Sequence, residues 1–288
     1  MKIGVSFFAW TAQLTSTHLS ILPSLREHGL DGFEIPMFDP AELPATEIRR
    51  ASEANALDCS VCAILPSGIN PISPDVEVRK RSLRHLIHCV ETTAEVGGKL
   101  LGGPLFAPIG YLPGHRRTDE EWNWAIEAFQ RIGEILEANE VTISIEPVNR
   151  SETYFLRTAE EAKSFCKAVG NPRIGVTIDT FHANIEEQSI PQAVLSLGTK
   201  LKHIHASEND RGLLGSGHVD FTAIVAALRQ IDYDGYLMIE GFGYSGEETN
   251  SPGFLWANVD LSPEDIAFQG AQYLRGLLNT QKVIARLP

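Results

Sequence analysis

The chain has 288 residues, of which 43% are hydrophobic and 21% are charged, and its formal net charge is -13. This composition is typical of a soluble globular protein with a sizeable core, and it excludes a disordered chain. The acidic balance makes nucleic acid an improbable partner, because a phosphate backbone repels a negatively charged surface.

The first residues, MKIGVSFFAW, place one Lys before a short apolar run, which Thr11 and Gln13 interrupt before a signal-peptide core is complete. No later stretch approaches the ~20 apolar residues that span a bilayer. Cys59 and Cys62 are three residues apart on a predicted strand, so they point to opposite faces and do not form an easy disulfide. We therefore expect a cytoplasmic protein with buried, reduced thiols.

Short apolar runs alternate with longer amphipathic stretches from one end of the chain to the other. The apolar runs predict eight strands, at residues 2–7, 32–37, 58–65, 99–104, 141–146, 174–179, 201–206 and 235–240. The amphipathic stretches predict helices at residues 17–28, 43–55, 76–97, 119–139, 158–169, 190–198, 220–231 and 263–279. Thr118, Thr158 and Asp220 are residue types that favour the start of a helix.

Strict β/α alternation with nearly continuous apolar strands predicts a parallel sheet covered by helices. Eight units favour closure into a single (β/α)8 TIM barrel, one domain over residues 1–288. The alternative is an open Rossmann-type sheet, but no G-x-G-x-x-G follows the first strand, and an open sheet needs no eighth repeat. The long non-helical segments 64–75, 104–118, 207–219 and 241–260 all follow strands, where a barrel builds its active site.

Four predicted strands of the second half end on a side chain that can bind a metal. In chain order these residues are Glu146, Asp179, His205 and Glu240. Because the strand ends of a barrel converge on one mouth, we expect the four side chains to lie close together. Three unpaired carboxylates at one place repel each other, and a divalent cation is the simplest way to neutralise them. The oxygen-rich set favours Mn²⁺, with Mg²⁺ or Co²⁺ as alternatives, over a structural zinc site.

Further polar residues follow the same strands, among them Glu152, His182, Glu208 and Arg211. His182 comes three residues after Asp179, where the chain turns across the mouth, so its ring could reach a substrate oxygen. Arg211 could pair with a neighbouring acid or face a polarised substrate oxygen.

The segments IEPVNRSET, IDTFHANIEE, HIHASENDRGLLGSGHVDF and MIEGF resemble the ketose 3-epimerases that act on D-tagatose, D-psicose (D-allulose) and L-ribulose, within the xylose-isomerase-like barrel superfamily. The likeness runs over nearly the whole chain and is densest between residues 141 and 242. It implies that Glu146, Asp179, His205 and Glu240 bind the metal and that the two Glu also serve as acid and base. It further implies substrate contacts from Glu152, His182 and Arg211, and a homodimer or homotetramer.

Chemistry agrees with this division of roles. The hydrogen on C3 of a ketose lies next to the C2 carbonyl but is too weakly acidic for an unaided carboxylate, so Lewis acidity from a metal is needed. Inversion at C3 then requires removal of the proton from one face and its return to the other through an enediolate. Glu146 and Glu240 on opposite sides of the sugar would meet this requirement.

Several other functions remain open on the same barrel: a sugar isomerase of the hydroxypyruvate isomerase kind, an inosose dehydratase and a sugar-phosphate 3-epimerase. A phosphorylated substrate calls for several Arg or Lys in the pocket, and the sequence shows no obvious cluster. A repair endonuclease would need more histidines and a basic face. A sugar-binding protein without catalysis would have lost Glu146 or Glu240.

Overall fold

The computed structural model describes residues 1–242 and 261–284, and its strands form a closed barrel. All neighbouring strands are parallel, and β1 pairs with β8 to close the ring. The strands are β1 (Lys2–Ser6), β2 (Gly32–Met37), β3 (Asp58–Ala63), β4 (Leu100–Gly103), β5 (Thr142–Ile145), β6 (Ile174–Asp179), β7 (Leu201–Ala206) and β8 (Tyr236–Ile239). The predicted (β/α)8 fold class is therefore confirmed.

Helices surround the barrel in the order that the sequence predicts. They are α1 (Leu22–Glu27), α2 (Ala45–Asn55), α3 (Val76–Glu95), α4 (Asp119–Arg131), α5 (Gly133–Asn139), α6 (Ala159–Val169), α7 (Thr180–Glu186), α8 (Ile190–Leu197), α9 (Phe221–Gln230) and α10 (Pro263–Ile284). The predicted helix 119–139 is divided in two at Ile132, directly before Gly133, a residue that weakens a helix interior. Helix α7, which the sequence did not predict, begins directly after β6.

The barrel interior holds buried polar side chains as well as apolar ones. Strands β2 and β6 are buried along their whole length, as an enclosed parallel sheet requires. Glu34, His203 and His205 are nevertheless at most 1% exposed. Buried charge is costly without partners, so these residues mark a part of the interior that serves more than packing.

Within the described part of the chain, no helix combines the length and apolarity that crossing a membrane requires. The four cysteines are free thiols, three of them buried and Cys59 half-buried.

Gly103, the last residue of β4, is a position where the barrel tolerates no side chain. Its φ is 116°, and a Cβ would lie 2.2 Å from the carbonyl oxygen of Ala63. Its own carbonyl accepts the backbone N–H of Glu146 at 3.1 Å, so this glycine also fixes where the β5 chain ends. The close approach explains why the position needs glycine.

We expect Gly103→Ala to lower the free energy of unfolding by about 2–4 kcal/mol, because the backbone must move to relieve the clash. Urea unfolding followed by circular dichroism measures this change. Gly102→Ala is the matched control, since its Cβ would meet the nearest atom at an ordinary 3.7 Å. Equal stabilities of the two variants would contradict the assignment of Gly103.

Candidate functional site

A cleft opens at the carboxyl ends of the barrel strands. Its polar lining consists of Glu146, Glu152, His182, Arg211 and Glu240, with the thiol residue Cys62. Its apolar lining consists of Phe8, Phe38, Ile64, Pro104, Ile109, Val148, Phe181 and Phe242. The predicted loop 241–260 lies outside the described residues except for Gly241 and Phe242.

The strand register brings the four predicted strand-end residues together. Asp179 and His205 are direct partners in the β6–β7 ladder. Glu240 donates its backbone N–H to the carbonyl of Ala206 at 3.0 Å, which places it beside the end of β7. One ligand atom from each of Glu146, Asp179, His205 and Glu240 lies within 4.8 Å of all the others. The four side chains form what we call the acidic cluster.

The two carboxylate oxygens of Asp179 have different roles: one caps a helix and the other faces the acidic cluster. Oδ1 accepts the backbone N–H of Phe181 at 2.8 Å and caps α7. Oδ2 is buried and has no aligned hydrogen-bond donor, although Arg211 Nη2 is 2.8 Å away. One side chain thus both starts a helix and presents its second oxygen, beside Arg211, to the cluster.

His205 faces carboxylates on both sides of its ring. Nδ1 lies 3.1 Å from Glu146 Oε1 and 3.7 Å from Glu240 Oε2, while Nε2 lies 2.9 Å from Glu34 Oε1. Burial alone would lower the pKa of His205, but the surrounding carboxylates raise it above its ordinary value. The cluster therefore favours additional positive charge.

The acidic cluster fits a divalent cation. It offers three carboxylates and one imidazole, all at most 4% exposed, and the Oδ2 atom of Asp179 lacks an aligned donor. Hard oxygen ligands with a single histidine suit Mn²⁺ or Mg²⁺ better than a thiolate-rich zinc site. Cys62, although close by, is fully buried with its pKa raised well above the ordinary value, so it does not supply a ready thiolate.

Arg211 is held against the acidic cluster rather than paired with Asp210. Its guanidinium contacts Glu240 and Asp179 and donates to Ser207 Oγ at 2.8 Å. The group also lies 4.3 Å from the ring centre of Phe181 and 4.9 Å from that of Phe242. A left-handed backbone (φ 61°) directs the side chain inward. These contacts hold the guanidinium as a fixed positive charge at the cleft wall.

His182 and Glu152 meet at Asn149, on the wall next to Arg211. Asn149 Nδ2 lies 2.9 Å from His182 Nδ1 and donates to Glu152 Oε1, also at 2.9 Å. Burial lowers the pKa of His182 to about 3 and raises that of Glu152 above its ordinary value. The wall thus offers a neutral imidazole and a half-buried carboxyl group to a polar ligand. Glu208 instead accepts backbone N–H groups of the 209–219 loop, at Asn209, Gly215 and Val219.

Sequence reasoning missed most of the apolar lining. Phe8 lines the cleft, whereas its neighbour Phe7 is fully buried against Phe33 in the core. The side chain of Phe242 also lines the cleft. These residues carry no signal in a single sequence, since an aromatic residue after a strand is equally common in a core. Glu34 did carry one: it is a charged residue inside the apolar strand GFEIPM.

Comparison with known proteins agrees with this geometry. The sequence pattern of the xylose isomerase-like TIM barrel family matches residues 22–277. The chain is 31% identical to the L-ribulose 3-epimerase of Mesorhizobium japonicum, covering 90% of this chain and 88% of that protein. It is 29% identical to the probable ketose 3-epimerase of Synechocystis sp., covering 97% and 98%. The crystal structure of D-allulose 3-epimerase from Methylomonas sp. with D-allulose matches with a TM-score of 0.89 at 26% identity, covering 96% of each chain.

Proposed function

Because the chain belongs to the xylose isomerase-like TIM barrel family, among its ketose 3-epimerases, we propose that it inverts C3 of free ketoses with Glu146 and Glu240 as the acid–base pair. The proposal rests on which members of the acidic cluster line the cleft. Glu146 and Glu240 line it, whereas Asp179 and His205 lie behind it. Within the acidic cluster, the groups that can contact a substrate are therefore the carboxylates of Glu146 and Glu240, which directly follow β5 and β8.

Glu146 and Glu240 approach the cleft from different sides. Their strand ends are separated in the barrel by β6 and β7, which carry Asp179 and His205. A carboxylate on one side removes the C3 proton, and the carboxylic acid on the other side returns a proton to the opposite face. Each Glu is the base for one epimer and the acid for the other.

Glu146, Asp179, His205 and Glu240 would hold the divalent cation, with Mn²⁺ as the proposed ion. Bound there, the cation supplies Lewis acidity that makes the hydrogen beside the carbonyl acidic enough for a carboxylate to remove. The residues of this chain support a cation site, because three carboxylates lie in one buried cluster with the imidazole of His205 and next to the guanidinium of Arg211.

Glu152, His182 and Arg211 would bind the oxygens of the first three carbons. Arg211 is fixed by Ser207 and by its two carboxylates, so it can orient a polar substrate group without first losing conformational freedom. A neutral His182 can donate or accept a hydrogen bond to a hydroxyl group. The three side chains form one continuous polar wall beside the acidic cluster.

The distribution of Lys and Arg side chains favours a free sugar over a sugar phosphate as the substrate. Arg211 is the only Lys or Arg among the described residues that line the cleft, and residues 243–260 contain neither. Arg116, Arg117, Arg150 and Arg157 do gather in the fold, which the sequence did not reveal, but they line a second cleft that shares no residue with the first. Arg150 and Arg157 are paired there with Glu186 and Glu161.

Incubation with Mn²⁺ and a panel of free ketoses in D₂O, followed by NMR, tests the proposed reaction. The panel comprises D-psicose, D-fructose, D-tagatose and L-ribulose. We expect deuterium at C3 together with the C3 epimer for at least one of them. Formation of an aldose would indicate an isomerase instead. Turnover only of a phosphorylated or inositol-derived compound would overturn the substrate class.

We also propose a cytoplasmic location, supported by four free thiols, three of which are buried. Assembly as a homodimer or homotetramer is proposed on the resemblance alone.

A further inference from the structure

We propose that Glu34 is a positioning residue for the reaction: it orients the imidazole of His205 so that Nδ1 faces the acidic cluster. The proposal rests on the metal site proposed above. Glu34 itself does not line the cleft, so it touches neither the sugar nor the reacting atoms. It would act only through His205.

The two nitrogens of His205 face different carboxylates. Nε2 lies 2.9 Å from Glu34 Oε1, within hydrogen-bond distance although off the ideal direction. Nδ1 lies 3.1 Å from Glu146 Oε1, on the other side of the ring. A neutral imidazole carries its proton on one nitrogen and a lone pair on the other. If Glu34 holds the proton on Nε2, the lone pair of Nδ1 is directed at the cluster.

Glu34 is itself fixed in place by contacts around its second oxygen. Oε2 accepts a hydrogen bond from Ser60 Oγ at 2.9 Å and lies 2.9 Å from His203 Nε2. The rings of His203 and His205 are nearly perpendicular, with centres 5.0 Å apart. Turning the carboxylate away would break the hydrogen bond from Ser60 and move both oxygens away from the two buried imidazoles. The carboxylate is therefore rigid enough to fix the ring that it contacts.

Burying the charged Glu34 beside His205 costs the fold free energy, which indicates that the pair has a function beyond packing. Glu34 and His205 are 0% exposed, and the strand that carries Glu34 is otherwise apolar. An ionised carboxylate in such a place is tolerated only with strong partners. A carboxylate that accepts the distal N–H of a metal-binding histidine fixes both the tautomer and the orientation of the ring.

The test compares Mn²⁺ binding to the metal-stripped wild-type chain and to Glu34→Gln, with free Mn²⁺ measured by EPR. Glutamine keeps the size of the side chain, but it can present a carbonyl oxygen to only one of the two histidines. We expect the dissociation constant to rise about 10- to 100-fold. The matched control is Glu121→Gln, which alters another buried glutamate whose partners are Thr118 and Tyr154, and it should bind Mn²⁺ like the wild type.

A second measurement needs no variant. In the Mg²⁺-loaded wild-type protein, ¹⁵N NMR of the histidine rings should show His205 protonated at Nε2 and unprotonated at Nδ1. A purely structural Glu34 would lower the thermal stability of Glu34→Gln but leave Mn²⁺ affinity unchanged, and that result would overturn the proposal. Protonation of His205 at Nδ1 with Mg²⁺ bound would overturn it as well, even if Glu34→Gln fails to fold. If the wild-type chain binds no Mn²⁺, both the metal site and the role of Glu34 are wrong.

Discussion

Replacement of Glu146 by Gln is expected to slow epimer formation by about 10²- to 10⁴-fold, and Glu240→Gln should have an effect of the same order. An amide has nearly the shape of a carboxylate but cannot take up the C3 proton. Both residues line the cleft next to Asp179 and His205, so neither has an obvious substitute among the described residues. NMR of the ketose in D₂O measures epimer formation and deuterium uptake in one experiment.

Glu146→Gln and Glu240→Gln should also differ in a way that shows from which face of the sugar each Glu acts. When one base is lost, the other can still remove the proton from its own side and return deuterium there. We therefore expect slow exchange without inversion for one epimer in Glu146→Gln and for the opposite epimer in Glu240→Gln. Mn²⁺ content must be measured beside activity, because each Glu is also a proposed ligand. Near-normal epimerisation by either metal-loaded variant would contradict its acid–base role, and Glu121→Gln again controls for loss of a buried carboxylate.

Removal of divalent cations with a chelator is expected to abolish turnover, and added Mn²⁺ should restore it. Without a cation, Arg211 and His205 are the positive partners that the described residues offer to the three carboxylates of the acidic cluster. The same cation should stabilise the fold, by about 2.7 kcal/mol when its free concentration is 100 times the dissociation constant. Thermal unfolding with and without Mn²⁺ measures this stabilisation.

Asp179→Asn supplies the control for the metal experiment. Its Oδ1 can still accept the N–H of Phe181 and cap α7, whereas Oδ2, the oxygen that faces the cluster, is replaced by an amide nitrogen that does not bind a cation. We expect the variant to fold but to gain little stability from Mn²⁺. Full activity of chelator-treated, metal-free wild-type protein would show that the reaction needs no cation.

The acidic cluster could be predicted because its geometry follows from local features. Each of Glu146, Asp179 and Glu240 stands at or just after the end of a strand, and closure of a parallel barrel brings all such ends to one mouth. The prediction needed only the positions of these residues relative to the strands, not any distance between atoms. The polarity and periodicity of the chain were sufficient to place the strands within two residues of their observed bounds.

Contacts across the barrel interior could not be predicted in this way. Glu34 on β2 contacts His203 and His205 on β7, and these pairs depend on how the side-chain layers of distant strands meet. The inward turn of Arg211 depends on a left-handed backbone that an arginine seldom adopts. That Phe8 lines the cleft while Phe7 is buried depends on the short helical turn over Phe7–Ala9, directly after β1. Such features require three-dimensional packing, on which periodicity is silent.

Five of the eight apolar residues that line the cleft follow β1 to β4, the strands that carry none of the acidic cluster. Phe8, Phe38 and Ile109 follow β1, β2 and β4, whereas the cluster is built on β5 to β8. Segments after strands accept substitution more readily than the strands that they connect. The segments that carry Phe8, Phe38 and Ile109 can therefore mutate towards a new sugar while the strands preserve the reaction, which makes these three positions a first choice for directed evolution.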